Sequence, residues 1–204
     1  MKHREKTIIS AVLFLALVIG VSSWIGKSHP PSYKIDLNHL IQQPDDITCG
    51  PTSVSMLMYF YNLNVSVDDV KKITKTVWYT WSGRDIGMTS PNLVLSALKY
   101  FGFNSKIKYG KIIDLKHTIS SGKPCIVLVR SGEWNWHYVL ICGYDKDYIF
   151  FANPSTGEIQ GLSTDEFYAS WSWNADLRGR LCGQLAKYFL KGIEIYPNSY
   201  IFVE

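Results

Sequence analysis

Residues 124–153 read PCIVLVRSGEWNWHYVLICGYDKDYIFFAN, and this stretch decides the fold. It holds three short runs rich in β-branched and aromatic side chains, at residues 125–129, 137–142 and 148–152. Clusters of Gly, Asn and Asp separate the runs, which is typical of strands joined by turns. The connection at residues 145–147 is short enough for a hairpin, so the last two strands are predicted to pair antiparallel.

The chain before this stretch is predicted to be helical. In residues 49–61 apolar side chains recur at the spacing of one helical face, at Val54, Leu57, Met58 and Tyr61. A second helix is predicted over residues 92–101. Ser90 is its N-cap, Pro91 stands at the first helical position, and Gly102 provides a left-handed C-cap.

Two shorter helices are predicted at residues 114–121, before Gly122, and at residues 165–171, where Ser163 and Glu166 form a capping-box pattern. Helices therefore dominate the first half and strands the second, without alternation of the two. This order predicts an α+β fold, with an N-terminal helical half packed on a C-terminal antiparallel sheet. The last thirty residues carry weaker patterns, read as a helix at 177–190 and strands at 193–196 and 200–203.

The first 26 residues differ in character from the rest. Lys2, Arg4 and Lys6 precede an apolar run at residues 8–25. About 18 apolar residues can cross a bilayer as a helix, and the basic flank predicts a cytoplasmic N-terminus with the remainder outside. A cleaved signal peptide has the same charge layout, and Val21-Ser22-Ser23 would serve as its cleavage site. Anchor and signal both stay open, so we expect a membrane-anchored extracytoplasmic domain or a secreted one.

Residues 27–37 are predicted to be a linker and residues 38–204 a single domain, because no repeat or low-complexity tract divides them. A hydrophobic content of 47% excludes wholesale disorder. Without residues 1–26 the chain has 18 basic and 16 acidic side chains. That near-neutral balance gives no reason to expect a nucleic-acid partner.

The chain has four cysteines, which are Cys49, Cys125, Cys142 and Cys182. None of the pairs has the spacing of a metal site and the histidines are scattered, so we expect neither a metal nor another cofactor. Cys125 and Cys142 lie inside apolar strands, where a cysteine usually acts as a small buried hydrophobe. The spacing of the cysteines does not decide whether disulfides form.

Cys49 differs by its position at the start of the predicted helix 49–61. Gly50 and Pro51 are tolerated only in a first turn, so they fix the helix start near Cys49. Unpaired N–H groups and the positive end of the helix dipole stabilise a thiolate there, which predicts a lowered pKa for the Cys49 thiol. Position alone more often indicates a packed structural cysteine.

Three polar residues complete the groups that a thiol acyl-transfer site needs. Gln43 can donate its amide to an oxyanion, and His137 opens a strand, where its ring can face a cleft. The hairpin brings Asn153 beside His137, where its carbonyl can accept from one ring nitrogen. Each residue alone has an ordinary structural explanation, but together they supply every role. His39, ten residues before Cys49, is a weaker candidate base because no orienting partner is evident.

Four motifs, in this order along the chain, resemble those of the C39-like peptidase family, papain-fold cysteine peptidases related to the leader-cleaving domains of bacteriocin exporters: Gln43-Pro-Asp-Asp-Ile-Thr-Cys49-Gly-Pro-Thr-Ser, Gly122-Lys-Pro-Cys-Ile-Val-Leu-Val, His137-Tyr-Val-Leu-Ile-Cys-Gly-Tyr and Asn153-Pro. The resemblance covers about residues 42–173. It implies a papain-like fold and a cysteine peptidase that acts on a peptide or protein. It also implies Cys49 as nucleophile, His137 as base and acid, Asn153 as orienting residue and Gln43 as oxyanion donor. We expect this domain to be a monomer.

Two departures from the family pattern are visible. Asn153 stands where the family usually has aspartate, and Trp136 stands where glycine is common. Trp134 and Trp136 are therefore candidate walls of a substrate site, although core packing is the more frequent role of tryptophan. An acyl transferase using the same thioester, or a catalytically silent membrane-tethered peptide-binding module, remains an alternative to a peptidase.

Overall fold

The structure is a computed structural model that describes residues 29–81, 84–131, 136–172 and 197–204, with only the backbone described for residues 77–81 and 84–88. The chain divides into two compact units, Met1–Pro30 and Pro31–Glu204. The predicted anchor or signal at residues 1–26 lies outside the described residues. Within the described ranges, no helix combines the length and apolar character that a membrane span requires.

Seven strands in the described part of the second unit form one antiparallel sheet. These strands are β1 (Tyr33–Lys34), β4 (Ser105–Tyr109), β5 (Cys125–Arg130), β6 (Trp136–Tyr144), β7 (Tyr148–Asn153), β8 (Glu158–Ser163) and β9 (Ser199–Val203). Their order in the sheet is β4-β9-β5-β6-β7-β8, and β1 pairs with β6 beyond the end of β5. A separate hairpin consists of β2 (Val77–Trp81) and β3 (Arg84–Met88).

The three strands predicted from the opening stretch are confirmed as β5, β6 and β7. The predicted hairpin between β6 and β7 is also confirmed, and Asp145 explains its turn. The Asp145 carboxylate accepts from the backbone N–H groups of Asp147 and Tyr148, at 2.8 and 2.7 Å. This side chain closes the turn by the short-range bonding that favours aspartate at such positions.

Five helices of the described residues pack around this sheet, which are α1 (Cys49–Phe60), α2 (Val67–Thr74), α3 (Pro91–Tyr100), α4 (Ile112–Ser120) and α5 (Thr164–Ser172). The predicted start of α3 is confirmed, because the Ser90 side chain accepts from the Leu93 N–H. Gly102 ends that helix with φ of 89°. Before α5, Ser163 and Glu166 bond reciprocally as the capping box requires. The α+β prediction is thereby confirmed, whereas α2 was not predicted.

Helix α1 is the centre of the core, and the prediction of a single buried face for it is wrong. The helix packs against β6, α2 and α3, and every residue from 50 to 58 is buried. Ser and Thr occupy several of these positions, so the sequence resembles a half-exposed helix although the helix is enclosed. Small side chains suit this location because they let neighbouring elements approach closely.

The predicted linker at residues 27–37 is wrong at its C-terminal end. Strand β1 pairs with β6, and Ile35 and Leu37 are buried in the core. These two side chains and Tyr33 alternate along the chain, which is the pattern of a strand with one buried face. The predicted strand at 200–203 is confirmed within β9, between β4 and β5. The patterns at 177–190 and 193–196 lie outside the described residues.

Candidate active site

His137 and Asn153 lie together at one end of the β6–β7 pair. Leu140 pairs with Ala152, and extending that register by one residue sets Val139 opposite Asn153. His137 is two residues from Val139, so its side chain shares the face of Asn153. The His137 Nε2 atom lies 2.7 Å from the Asn153 Oδ1 atom. The predicted juxtaposition of these two residues is confirmed.

The orientation of the Asn153 amide follows from its other contacts. The Ser155 backbone N–H, which can only donate, lies 3.0 Å from Asn153 Oδ1. Asn153 Nδ2 donates to Gln160 Oε1 at 2.8 Å. His137 Nε2 must therefore donate to Oδ1, which leaves the lone pair of a neutral ring on Nδ1. Gln160, which fixes the amide from β8, was missed because no local pattern marks it.

Cys49 is the first residue of α1, and its sulfur faces the backbone N–H of Tyr138, the residue after His137. The approach depends on Gly50. A Cβ atom at Gly50 would lie 3.2 Å from both Tyr138 Cδ2 and Thr89 Cβ, which is tighter than ordinary contact. Tyr138 is held in turn by its hydroxyl, which donates to the Thr89 carbonyl at 2.8 Å. The start of α1 is thus packed directly against the start of β6.

The pKa values of Cys49 and His137 are both shifted in the direction that favours the neutral form. Burial raises the pKa of the Cys49 thiol, although the backbone N–H groups of Tyr138 and Gly50 act in the opposite direction. Burial lowers the pKa of His137, while its bond to Asn153 favours the charged ring. The lowered thiol pKa predicted from the helix start is therefore wrong, because desolvation of the sulfur outweighs the N–H groups around it. Both shifts favour the uncharged forms, a thiol at Cys49 and a neutral imidazole at His137.

Gln43 is attached to the turn that follows Asn153. Its backbone N–H donates to the Pro154 carbonyl at 2.8 Å, and the neighbouring Gln42 donates through Nε2 to the Ser155 carbonyl at 3.2 Å. Its side-chain Nε2 donates to the Asp45 carbonyl at 2.7 Å. Because an amide nitrogen carries two hydrogens, one N–H of Gln43 stays available to a substrate oxygen.

Asp45 is a residue of this region that the sequence reading missed. Its Oδ1 atom accepts from the Ile47 N–H at 3.1 Å, and its Oδ2 atom pairs with Lys71 Nζ at 2.8 Å. Burial alone would raise the pKa of Asp45, but the bonds from Lys71, Thr48 and Ile47 together hold it below its usual value. Asp45 stands inside the motif that runs from Gln43 to Cys49, but that motif does not predict its contact with Lys71 on α2.

The remaining candidates are less closely connected with this pair. His39 is exposed and stacks on Tyr59, with ring centroids 4.2 Å apart. Tyr59 is ten residues beyond Cys49, or about 15 Å along the helix, so His39 is not its base. Trp136 is half-buried at the start of β6, and Trp134 lies outside the described residues. A role of either tryptophan in binding substrate stays a prediction.

The other described cysteines are free and buried. Cys125 pairs with Ile141 across the β5–β6 ladder, so Cys142 points to the opposite face of the sheet and cannot reach it. Burial raises the pKa of both thiols, that of Cys142 to about 11. Cys182 lies outside the described residues. Within the described ranges, no group of three or more His, Cys, Asp or Glu side chains forms a metal site.

Solved structures share this fold. A C39-like peptidase from Bacillus anthracis superposes with a TM-score of 0.61 at 18% identity, covering 84% of this chain and 96% of that one. The peptidase domain of Streptococcus ComA, a bifunctional ABC transporter involved in quorum sensing, gives 0.56 at 18%, covering 81% and 96%. A double-glycine-motif protease of an AMS/PCAT transporter, in complex with its leader peptide, gives 0.55 at 17%, covering 84% and 94%. The papain-like fold is therefore confirmed.

On this fold, a thiol at a helix start lies against the strand that carries the oriented histidine. The model of the Peptidase C39 like family matches residues 35–177. The chain therefore belongs to that family and is a hydrolase of the cysteine peptidase type. Among curated protein sequences, none matches it.

Proposed function

We propose that this protein cleaves peptide bonds with Cys49 as nucleophile, His137 as general base and acid, and Asn153 as the orienting residue. Gln43 and the backbone N–H of Cys49 act as the oxyanion donors. The observation that carries the proposal is the 2.7 Å bond from His137 to Asn153, together with the thiol that faces the next residue of β6. That bond leaves Nδ1 as the nitrogen that takes a proton.

The reaction begins as the neutral His137 ring takes the thiol proton on Nδ1 while the Cys49 sulfur attacks the substrate carbonyl carbon. Negative charge develops on the carbonyl oxygen, where the Gln43 Nε2–H and the Cys49 N–H stabilise it. His137 then donates its proton to the leaving amine, which leaves a thioester. Water, deprotonated by the same ring, hydrolyses the thioester and restores the thiol.

The neutral resting pair favours this order of events. Because both pKa shifts disfavour charge, the ion pair forms only as the sulfur attacks. Asn153 is neutral, so it orients the imidazolium by one hydrogen bond but adds no full negative charge to stabilise it. The positive ring is then stabilised chiefly by the developing negative charge on the substrate.

We propose a peptide or protein substrate. The structural relative from the AMS/PCAT transporter holds a leader peptide, which supports a peptide ligand of this fold. We further propose that residues 1–26 tether the domain outside the cytoplasm or direct its export. Fractionation of cells that express the full chain or residues 27–204 tests this, and N-terminal sequencing of the mature product separates an anchor from a cleaved signal.

A fluorescence-quenched library of random peptides tests the activity. Wild type should cleave a subset of the library, whereas Cys49→Ala and His137→Ala should not, and mass spectrometry should detect an acyl group on Cys49. A transferase would instead release product mainly when an amine such as glycinamide is added. Peptide binding without cleavage or acylation would favour a silent binding module and would contradict the proposal.

A further inference from the structure

The loop at residues 43–49 carries both groups that act on the substrate carbonyl in the proposed mechanism, Gln43 and Cys49. Asp45 lies near the middle of this loop, and three of its oxygen atoms form hydrogen bonds or an ion pair. Its main-chain carbonyl accepts from Gln43 Nε2 and, at 3.3 Å, from Thr48 Oγ1. Its Oδ1 atom accepts from the Ile47 N–H. Asp45 thus connects the oxyanion donor to the residues immediately before the nucleophile.

The Asp45 carbonyl determines which end of the Gln43 amide is presented. A carbonyl oxygen can only accept, so it selects the Nε2 end of the amide. Among the described residues, Gln43 Oε1 is buried without a hydrogen-bond partner. Nothing at that end opposes rotation of the amide by half a turn, which would replace the oxyanion donor with an acceptor. The hydrogen bond to the Asp45 carbonyl therefore determines the orientation of the Gln43 side-chain amide.

Lys71 fixes Asp45 to a different part of the scaffold. Its ammonium group lies 2.8 Å from Asp45 Oδ2, and about a quarter of each side chain is exposed, at 27% for Lys71 and 25% for Asp45. Lys71 belongs to α2, which packs against α1. The neighbouring Lys72 provides a matched control, since it is exposed and pairs with Asp69 on its own helix.

Lys71 also compensates a charge that opposes the reaction. The Asp45 carboxylate disfavours a thiolate at Cys49. Tyr138 from β6 also interacts with the sulfur, and burial raises the pKa of its hydroxyl well above the ordinary value, so Tyr138 adds no charge there. An ammonium group paired with Asp45 offsets its negative charge, so the loop keeps the carboxylate contacts with a smaller unfavourable field at the sulfur.

We propose that Asp45 and Lys71 are positioning residues of the active site. Asp45 holds the Gln43 amide with its donor end toward the substrate, and Lys71 fixes Asp45 on α2 while neutralising its charge. The inference rests on the proposed function in assigning Gln43 to the oxyanion. The ion pair and its effect on the thiol do not depend on that assignment.

The first test measures kcat and KM of the full chain with p-nitrophenyl acetate, using Cys49→Ala as the blank. Asp45→Ala keeps the main-chain carbonyl that binds Gln43 but removes the carboxylate bonds to Ile47 and Lys71 that hold this carbonyl in place. The oxyanion donor is then misaligned, so kcat should fall roughly 10-fold or more with little change in KM. Asp45→Asn should keep most of the activity, since its Oδ1 can still accept from the Ile47 N–H. In a Gln43→Ala background, Asp45→Ala should add almost nothing. Losses that multiply in full would overturn the positioning role.

The second test needs no turnover. Labelling of Cys49 by iodoacetamide is followed by mass spectrometry across pH for Lys71→Met and Lys72→Met. Lys71→Met should move labelling to higher pH, Lys72→Met should not, and adding Asp45→Asn to Lys71→Met should reverse the shift. Identical profiles for the two lysine variants would overturn the ion-pair part. If wild type hydrolyses the ester no faster than the blank, the proposed function fails, while the labelling result still decides the role of Lys71.

Discussion

The two sides of the candidate site are built differently. His137 and Asn153, which form the strand side, take their positions from a paired β-ladder, and each polar atom of the Asn153 side chain has a partner. Residues 43–49, which form the loop side, are held by individual hydrogen bonds rather than by a β-ladder. Among the described residues, the buried Gln43 Oε1 atom has no hydrogen-bond partner. Sheet register therefore fixes the proposed base, whereas a few side-chain bonds fix the proposed nucleophile and its proposed oxyanion donor.

The difference indicates where changes should matter. On the strand side, geometry is over-determined, so substitutions there should act mainly through the chemistry of the ring. On the loop side, one lost contact can reorient a catalytic group, so substitutions there should act through position.

The largest expected effect comes from removing either side completely. Cys49→Ala and His137→Ala should each lower kcat by on the order of 10⁴- to 10⁶-fold, and the double variant should be no worse than either one. Groups that act as one unit behave in this non-additive way. The kcat values of the three variants are measured by steady-state hydrolysis of a peptide that wild type cleaves. If the losses of the two single variants multiply in the double variant, Cys49 and His137 do not act as one unit.

Loss of the orienting bond should have a smaller effect. Asn153→Leu removes the acceptor for His137 Nε2, so the ring can rotate or adopt the other tautomer, and kcat should fall on the order of 10- to 100-fold. Gln160→Leu should produce a weaker loss of the same kind, because Asn153 keeps its bond from Ser155. A Gln160→Leu variant that is worse than Asn153→Leu would show that this order of contacts is wrong.

The pH profile distinguishes an oriented neutral ring from an ion-paired one. Because burial lowers the pKa of His137, the base stays neutral below its usual titration range, and kcat/KM should fall only when the pH drops through that lowered value. Asn153→Asp places a carboxylate at Nε2 and favours the imidazolium, so the acid limb should move to higher pH. An unmoved acid limb in this variant would mean that His137 is not the titrating base.

The smallest effect is expected at the turn that joins the two sides. Gly157 has φ of 69°, and a Cβ atom there would lie 3.1 Å from the Gln42 backbone nitrogen. Gly157→Ala should cost about 1 kcal/mol of stability and lower kcat a few-fold by displacing Gln43. Gly102 is the control, since its φ is 89° but nothing lies within 4 Å of its Cβ position. Gly102→Ala should lower the melting temperature without changing kcat, and equal kcat losses in both variants would contradict this.

Much of the strand side could be predicted from the sequence, because a hairpin converts spacing along the chain into proximity. Two apolar runs and a three-residue turn were enough to bring Asn153 beside His137. On the loop side, the sequence predicted the helix start at Cys49 and the candidate donor Gln43, but not the contacts that hold them. The contact between Asp45 and Lys71 spans 26 positions and no local pattern encodes it. The predicted lowering of the Cys49 thiol pKa was wrong for the same reason, since burial of the sulfur depends on packing of α1 against β6.

The most direct test of the account is alkylation of Cys49 by iodoacetamide from pH 4 to 9, in wild type and His137→Ala, with Cys49→Ala giving the background from the other cysteines. Wild-type Cys49 should react in the neutral range and lose reactivity as His137 is protonated. In His137→Ala the buried thiol should react only at high pH. Coincident profiles for the two proteins would contradict the claim that Cys49 and His137 act as a pair.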